Sequence, residues 1–406
     1  MQKSKLRAYA RLIARKGVNI KKGQDVVINA ELDQPEFICI LTDECYKAGA
    51  GKVEVQWNHQ PLEKISVRHE SLKRLSEITD WQKARFEHRV NTLPAMIHVI
   101  SEDPDGLSGI NIEKFSKASA KRRAITKPYR ERMENKYQWC VVAVPGVKWA
   151  KKLFPGLRAS IAVEKLWEVI LSASRADVDP MAQWDEHNAD LKARCDRLNS
   201  LGITSLHYRS SNGTDLTIGL VPGTKFLGGA DPTTEGVFFN ANIPSEEVFT
   251  SPMRGKADGK VVASMPLSYQ GQLIENFWLV FKDGKAVEYH AEKNEELLGK
   301  MLNMDDGASY LGECALVPYD SPIRKTGILF YNTLFDENAA CHLALGNSYP
   351  ETLVGFENMT HEEYKERGLN SSIIHEDFMI GTADLDIDAV CADGKTVPIF
   401  RNGNWA

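Results

Sequence analysis

Residues 25 to 57 carry three successive patterns: DVVINA, then QPEFICILTDECYKAGA, then KVEVQW. The outer two are short runs rich in Val, while the middle one spreads its apolar positions at helical spacing and ends at glycine. Strand, helix, strand is a βαβ unit, which implies a parallel strand pair. MIHVIS and QWCVVAVPG repeat the apolar strand pattern with helical material between them, so an open α/β sheet is expected for the first half. IAVEKLWEVILSA is a densely apolar helix, and the helix after it places Trp184, Leu191, Cys195 and Leu198 at spacings of three to four or their multiples before stopping at Gly202.

From residue 203 the runs become shorter and extended: ITSLHYRS, TDLTIGL, QLIENFWLVFKDGKAVEYH and GILFYN, separated by NG, PG, GG and DG turn signals. The texture changes between 190 and 202. The expectation is an α/β domain with a largely parallel sheet over 1–195, followed by a β-rich α+β domain over 196–406.

Length supports two domains, because 406 residues exceed the size at which one core stops growing. A hydrophobic content of 43%, a charged content of 26% and a net charge of -5 are ordinary for a soluble globular chain and demand no acidic or basic partner. The start, MQKSKLRAYARLIARKG, is broken throughout by Lys and Arg, and no run of 18 apolar residues occurs elsewhere. Neither a secretory signal nor a membrane partner is expected, which points to the cytoplasm.

The seven cysteines have no CxxC spacing and read as reduced thiols, so any metal must rest on oxygen and nitrogen ligands. Gly49 and Gly51 follow a helix instead of opening one, which makes them a C-cap and not a dinucleotide fingerprint. The basic stretch KRRAITKPYRER, 121–132, lacks stacking aromatics and reads as a solvated helix face, with no nucleic-acid partner.

Four stretches of the second half bring carboxylates and histidines against apolar or turn sequence. NIPSEEVFTSP holds Glu246 and Glu247, YLGECALV holds Glu313, FDENAACHLALGNSYP holds Glu337, His342 and Tyr349, and HEDFMIG holds His375 and Asp377. Each has an ordinary explanation. Glu246 and Glu247 suit the exposed start of an element. Asp336 could cap a short helix, ENAACHLAL, closed by Gly346, with Glu337 in its first turn, His342 in the core and Tyr349 in packing. Glu337 and His342 are five apart, which no regular helix face accommodates, so a shared centre requires the segment to begin as a loop or turn.

Glu313 is harder to dismiss, since it interrupts an apolar segment where a lone carboxylate is costly. In HEDFMIG, strand alternation puts His375 and Asp377 on one face and Glu376 on the other. Asp384, Asp386 and Asp388 alternate with Leu385 and Ile387, read as an outward strand face, and stay outside the site. The acids and two histidines together suit a pair of divalent transition ions better than Ca or Mg.

In their order and intervals these four stretches resemble the thermophilic-type metallo-aminopeptidases, the aminopeptidase T and aminopeptidase S family, over essentially the whole chain. The resemblance implies metal ligands at Glu247, Glu337, His342, His375 and Asp377, and at Glu313 a glutamate touching both ions. It places Tyr349 near the metals, suited to steadying an oxyanion. It further implies two divalent ions per chain (Zn, Co or Mn), a peptide substrate with a free N-terminus, and a homodimer. The expected reaction is removal of the N-terminal residue of short peptides with broad specificity, through a metal-bridging hydroxide, with one ion also taking the α-amine.

Glu246, beside a ligand, is a candidate proton shuttle, and Glu313 is the other. The competing expectation is a catalytically silent metal- or peptide-binding protein on the same scaffold. Glu376 departs from the family pattern, where a small apolar residue is common, and Cys314 and Cys341 adjoin two ligands.

Overall fold

The computed structural model describes residues 1–406. The chain forms two compact units, one made of Met1–Asp185 and Ala230–Pro244, the other of Glu186–Gly229 and Ser245–Ala406.

In the first unit, strands Val53–Asn58, Val26–Glu31, Ala95–Ile100, Trp139–Ala143 and Asn242–Ile243 lie side by side in that order, all parallel. The last strand comes from the returning 230–244 segment. Val26, Val27, Ile28, Ile97, Val99 and Val142 are buried, as a sheet covered on both faces requires. The Pro35–Ala48 helix starts with proline in its first turn and ends on Gly49 at φ +116°, where a left-handed residue closes the helix as the sequence suggested. It buries Phe37, Ile38, Leu41 and Cys45. The basic 121–132 stretch lies within the Ile112–Met133 helix, which buries only Ala118 and Met133. No helix is long and apolar enough to cross a membrane.

The second unit holds two principal antiparallel sheets. The larger has nine strands, including the long hairpin of Gln272–Lys282 and Lys285–Lys293. The smaller has four, in the order Val248–Thr250, Leu311–Leu316, His342–Gly346, His375–Met379. Alternation divides the smaller sheet sharply. Cys314, Leu343 and Phe378 pair across three strands and enter the same apolar core as Leu279, Phe281 and Phe277, whose ring lies 5.8 Å from that of Phe378. The neighbouring row is Glu313, Ala344 and Asp377, so ionisable side chains occupy the other face.

Three local expectations are corrected here. ENAACHLAL is not a helix: a single turn at Thr333–Asp336 passes into a tight turn at Glu337–Ala339, and His342–Gly346 is a strand. Ala and Leu favour helix, but strands on both sides of HLALG satisfy its backbone, and that pairing overrides local propensity. GILFYN is not a strand either. Asp336 takes the backbone N–H groups of Phe330 and Asn332 at 2.8 and 2.9 Å, and Phe330 stacks on Phe335 at 4.6 Å, so the segment curls around a carboxylate. Finally, Asp388 does not face outward. It is buried and receives both Arg209 and Arg401.

Candidate metal centre

Four of the eight site residues named from sequence lie on one face of the small sheet. Glu313, on the first long strand, stands opposite Ala344, which stands opposite Asp377. His342 and His375 are two residues from Ala344 and Asp377 on their own strands and therefore share that face. Ala344 has no side chain beyond its methyl, so the row has bulk only at its two carboxylate ends. Gly346 closes its strand at φ +105°, and a Cβ there would lie 2.1 Å from the carbonyl oxygen of Ile374. Glycine is what permits the His375 strand to begin at this distance.

A fifth residue, Glu247, immediately precedes the Val248–Thr250 edge strand. Its Oε2 lies 3.3 Å from His342 Nε2. On the other side, His375 Nε2 lies 3.1 Å from Glu313 Oε2 and 3.4 Å from Asp377 Oδ1. Ligand atoms of Glu247, Glu313 and His342 all fall within 4.8 Å of one another, and so do those of Glu313, His375 and Asp377. Glu313 belongs to both groups. Glu337, on the tight turn, is close enough to feel the charges of Asp377, Glu247, His342 and Glu313. The turn that replaces the expected helix thus lets residues five apart approach one centre.

Both histidines are oriented from behind. A carbonyl oxygen can only accept, so the 2.7 Å contact of His375 Nδ1 with the Asn347 carbonyl fixes the proton on Nδ1. His342 Nδ1 points at the Ala340 carbonyl at 3.4 Å. In their neutral forms both rings present Nε2 to the carboxylates, the arrangement of metal-ligating histidines held by backbone acceptors.

The electrostatics are those of too much negative charge in too little water. Burial, then nearby carboxylates, push Glu337 well above the usual carboxylate range. Burial also raises Glu313, against the pull of His375, with Glu247 adding to the rise. Burial by itself would depress both imidazoles, but Glu247 carries His342 up to about 10, and Asp377 with Glu313 carries His375 well up. Asp377 is depressed despite its burial because His375 attracts it. Protons therefore occupy positions where a cation would otherwise balance the acids.

The donor set fits divalent metal. It consists of hard carboxylate oxygens and borderline imidazole nitrogens. Asp377 Oδ1 is buried and accepts no hydrogen bond, a deficit that a cation satisfies.

Tyr349 and Glu246 complete the sequence-derived set. The Tyr349 hydroxyl is 3.2 Å from His375 Nε2, and its ring is fixed between Phe249 at 5.4 Å and His375 at 4.7 Å. Burial and the surrounding carboxylates raise this phenol well above its ordinary value, so it remains a hydrogen-bond donor. Glu246 is buried, contrary to the exposed-pair explanation, and its backbone N–H donates to Asn338 Oδ1 at 2.6 Å. The same Asn338 amide reaches Glu337 Oε1 at 3.4 Å. Asn338 thereby ties two of the motifs together, and sequence reasoning passed over it. Its only signal was adjacency to Glu337. Glu376, paired with Leu345, points to the opposite side of the strand from His375.

Relatives carry the same architecture. The sequence profile of the thermophilic metalloprotease (M29) family matches residues 2–405. Aminopeptidase AmpS of Bacillus subtilis is 43% identical over 406 residues, covering 99% of this chain and 98% of that protein. Aminopeptidase T of Thermus aquaticus is 40% identical over 402 residues, covering 98% of each. The solved structure of wild-type AmpT from Thermus thermophilus superposes with a TM-score of 0.92 at 38% identity, covering 100% of this chain and 99% of that one. With the profile matched from end to end and relatives near 40% identity along their whole lengths, the chain belongs to the thermophilic metalloprotease family.

Proposed function

We propose that this metalloprotease is an aminopeptidase that removes N-terminal residues from short peptides with broad tolerance, using two divalent ions. The carrying observation is that Glu313 belongs to both three-residue groups of potential ligands. In this reading Glu247 and His342 serve one ion, His375 and Asp377 serve the other, Glu313 serves both, and Glu337 completes the set. Zn, Co or Mn bound there would polarise the scissile carbonyl and make a water shared between them nucleophilic near neutral pH.

The chain's own groups supply the rest. Tyr349, protonated and held by its ring contacts, donates to the oxygen on which charge develops, a contribution of about 2–4 kcal/mol by analogy with other oxyanion donors. Glu246, anchored through its backbone by Asn338, is the group we assign to proton transfer, with Glu313 as the alternative. Asn347 and Ala340 hold the imidazoles in one tautomer. A cytoplasmic homodimer acting on peptides with free N-termini, without nucleic-acid or membrane partners, is part of the same proposal.

The test is release of p-nitroaniline from leucine p-nitroanilide by chelator-stripped protein titrated with Co, Zn or Mn, with bound metal measured in parallel. Activity reaching a plateau near two ions per chain is expected. Full loading without hydrolysis of this substrate or of free peptides would replace the proposal with a metal- or peptide-binding protein.

A further inference from the structure

Beside the carboxylate face lies a cleft lined by residues that include Leu267, Ser268, Tyr331, Asn332, Glu337 and Asp377. Asn332 occupies the N-cap position of the Thr333–Asp336 turn, where an asparagine side chain ordinarily accepts a backbone N–H of the turn it precedes. It makes no such bond. Its Oδ1 is instead buried with no hydrogen-bond partner in the protein. Its main chain is not free to rearrange, because Asp336 Oδ2 holds the Asn332 N–H at 2.9 Å and Asp336 Oδ1 holds that of Phe330 at 2.8 Å.

A buried acceptor that has given up its local donor is costly unless something else donates to it. Asp336, Glu337 and Asp377 add negative charge to the same cleft. No Lys, Arg or His lines the cleft. Beside the Asn332 amide stand the hydroxyl residues Ser268, Tyr331 and Thr333 and the carboxylates of Asp336, Glu337 and Asp377, and with no cationic side chain among them the complement of the set is a compact cationic group with several N–H bonds.

We infer that the cleft is the subsite for the terminal residue of the substrate and that Asn332 Oδ1 accepts an N–H of its α-amine. This rests on the aminopeptidase reading and deepens it. Selectivity for a free N-terminus then arises in part from the chain itself. An N-acylated terminus carries no positive charge, retains one N–H and brings a carbonyl oxygen toward the carboxylates.

The test compares binding of L-leucine with that of its des-amino analogue, 4-methylpentanoate, by calorimetry on the metal-loaded full chain. Wild type, Asn332→Leu and Asn332→Asp are each measured, with bound metal quantified. Wild type is expected to prefer leucine. Asn332→Leu should lose about tenfold or more of that preference at unchanged metal content, and Asn332→Asp, which keeps the acceptor, should retain it.

Four results overturn the inference: no preference in wild type, an unchanged preference in Asn332→Leu, loss of metal in Asn332→Leu, or loss of preference in Asn332→Asp. A wild-type chain that prefers leucine but does not hydrolyse leucine p-nitroanilide removes the aminopeptidase reading and leaves the subsite. Turnover with a preference indifferent to residue 332 removes the subsite alone.

Discussion

Buried carboxylates occur in both units and are balanced in different ways. Glu44, on the Pro35–Ala48 helix, has a side chain only 2% exposed, and its oxygens meet Arg7 at 3.1 Å, Arg11 at 3.3 Å and Lys47 at 3.2 Å. Those cations reach in from the surface, so the charge is buried and neutralised by the chain itself. The small sheet of the second unit gathers Glu247, Glu313, Glu337 and Asp377, and what the chain sets against them is two imidazoles. A carboxylate placed for stability brings permanent cations with it. A group of carboxylates left short of cations is a site that obtains its balance from outside.

The strongest way to break this contrast is Glu313→Gln. The substitution is nearly isosteric, and burial already raises the Glu313 carboxyl, so the metal-free fold should tolerate it. Removing the one residue common to both ligand groups should lower metal affinity and kcat/KM together by at least about a hundredfold. Plasma emission analysis of bound metal and steady-state kinetics measure the two losses. Full activity with two ions retained would remove Glu313 from the centre.

Tyr349→Phe separates donation from ion binding. Its hydroxyl contacts His375 but lies in neither ligand group, so metal content should hold while kcat falls by roughly 30- to 900-fold, the equivalent of about 2–4 kcal/mol. An unchanged kcat would reduce the tyrosine to packing.

Proton competition gives the next effect. Ligands must shed protons to bind metal. Because Glu247 carries His342 up to about 10 and His375 is also raised, protons leave these rings only above the ordinary imidazole range. Apparent metal affinity should therefore keep rising with pH from 6 to 9, by about tenfold per unit for each proton displaced. Competition titrations against a chromophoric chelator would show it. A plateau near 6.5 would mean that the acids do not act on the imidazoles as the geometry implies.

The same contrast explains what could be read from sequence. HEDFMIG alternates as a strand must, so the shared face of His375 and Asp377, with Glu376 opposite, was legible from spacing. The spacing of Glu337 and His342 excluded a common helix face, and the chain indeed turns between them. What stayed hidden depended on distant partners. HLALG is a strand because residues 311–316 and 375–379 flank it, GILFYN curls because Asp336 lies six residues beyond Phe330, and Asp388 is buried because Arg209 and Arg401 arrive from elsewhere. Asn338 reaches Glu246 across 92 positions, a link that no local pattern announces.

The smallest expected effect is also the sharpest control. Glu44→Gln removes a buried charge whose partners belong to the chain, in a unit that contributes no residue to the carboxylate face. Burial acts to raise the Glu44 carboxyl, but Lys47 and Arg11 outweigh it and hold it below its ordinary value. Its stabilising contribution is therefore present above the ordinary carboxylate value and lost as pH falls through the depressed one. Arg7, Arg11 and Lys47 are 44%, 53% and 48% exposed, and solvent screens them, so the loss at pH 7 should be only about 1 kcal/mol. Denaturant unfolding should show this difference at pH 7 and its decline as pH falls below the ordinary carboxylate range, with kcat/KM and metal content at pH 7 unchanged. If Glu44→Gln instead altered metal binding, the separation between carboxylates balanced by the chain and carboxylates balanced by metal would fail.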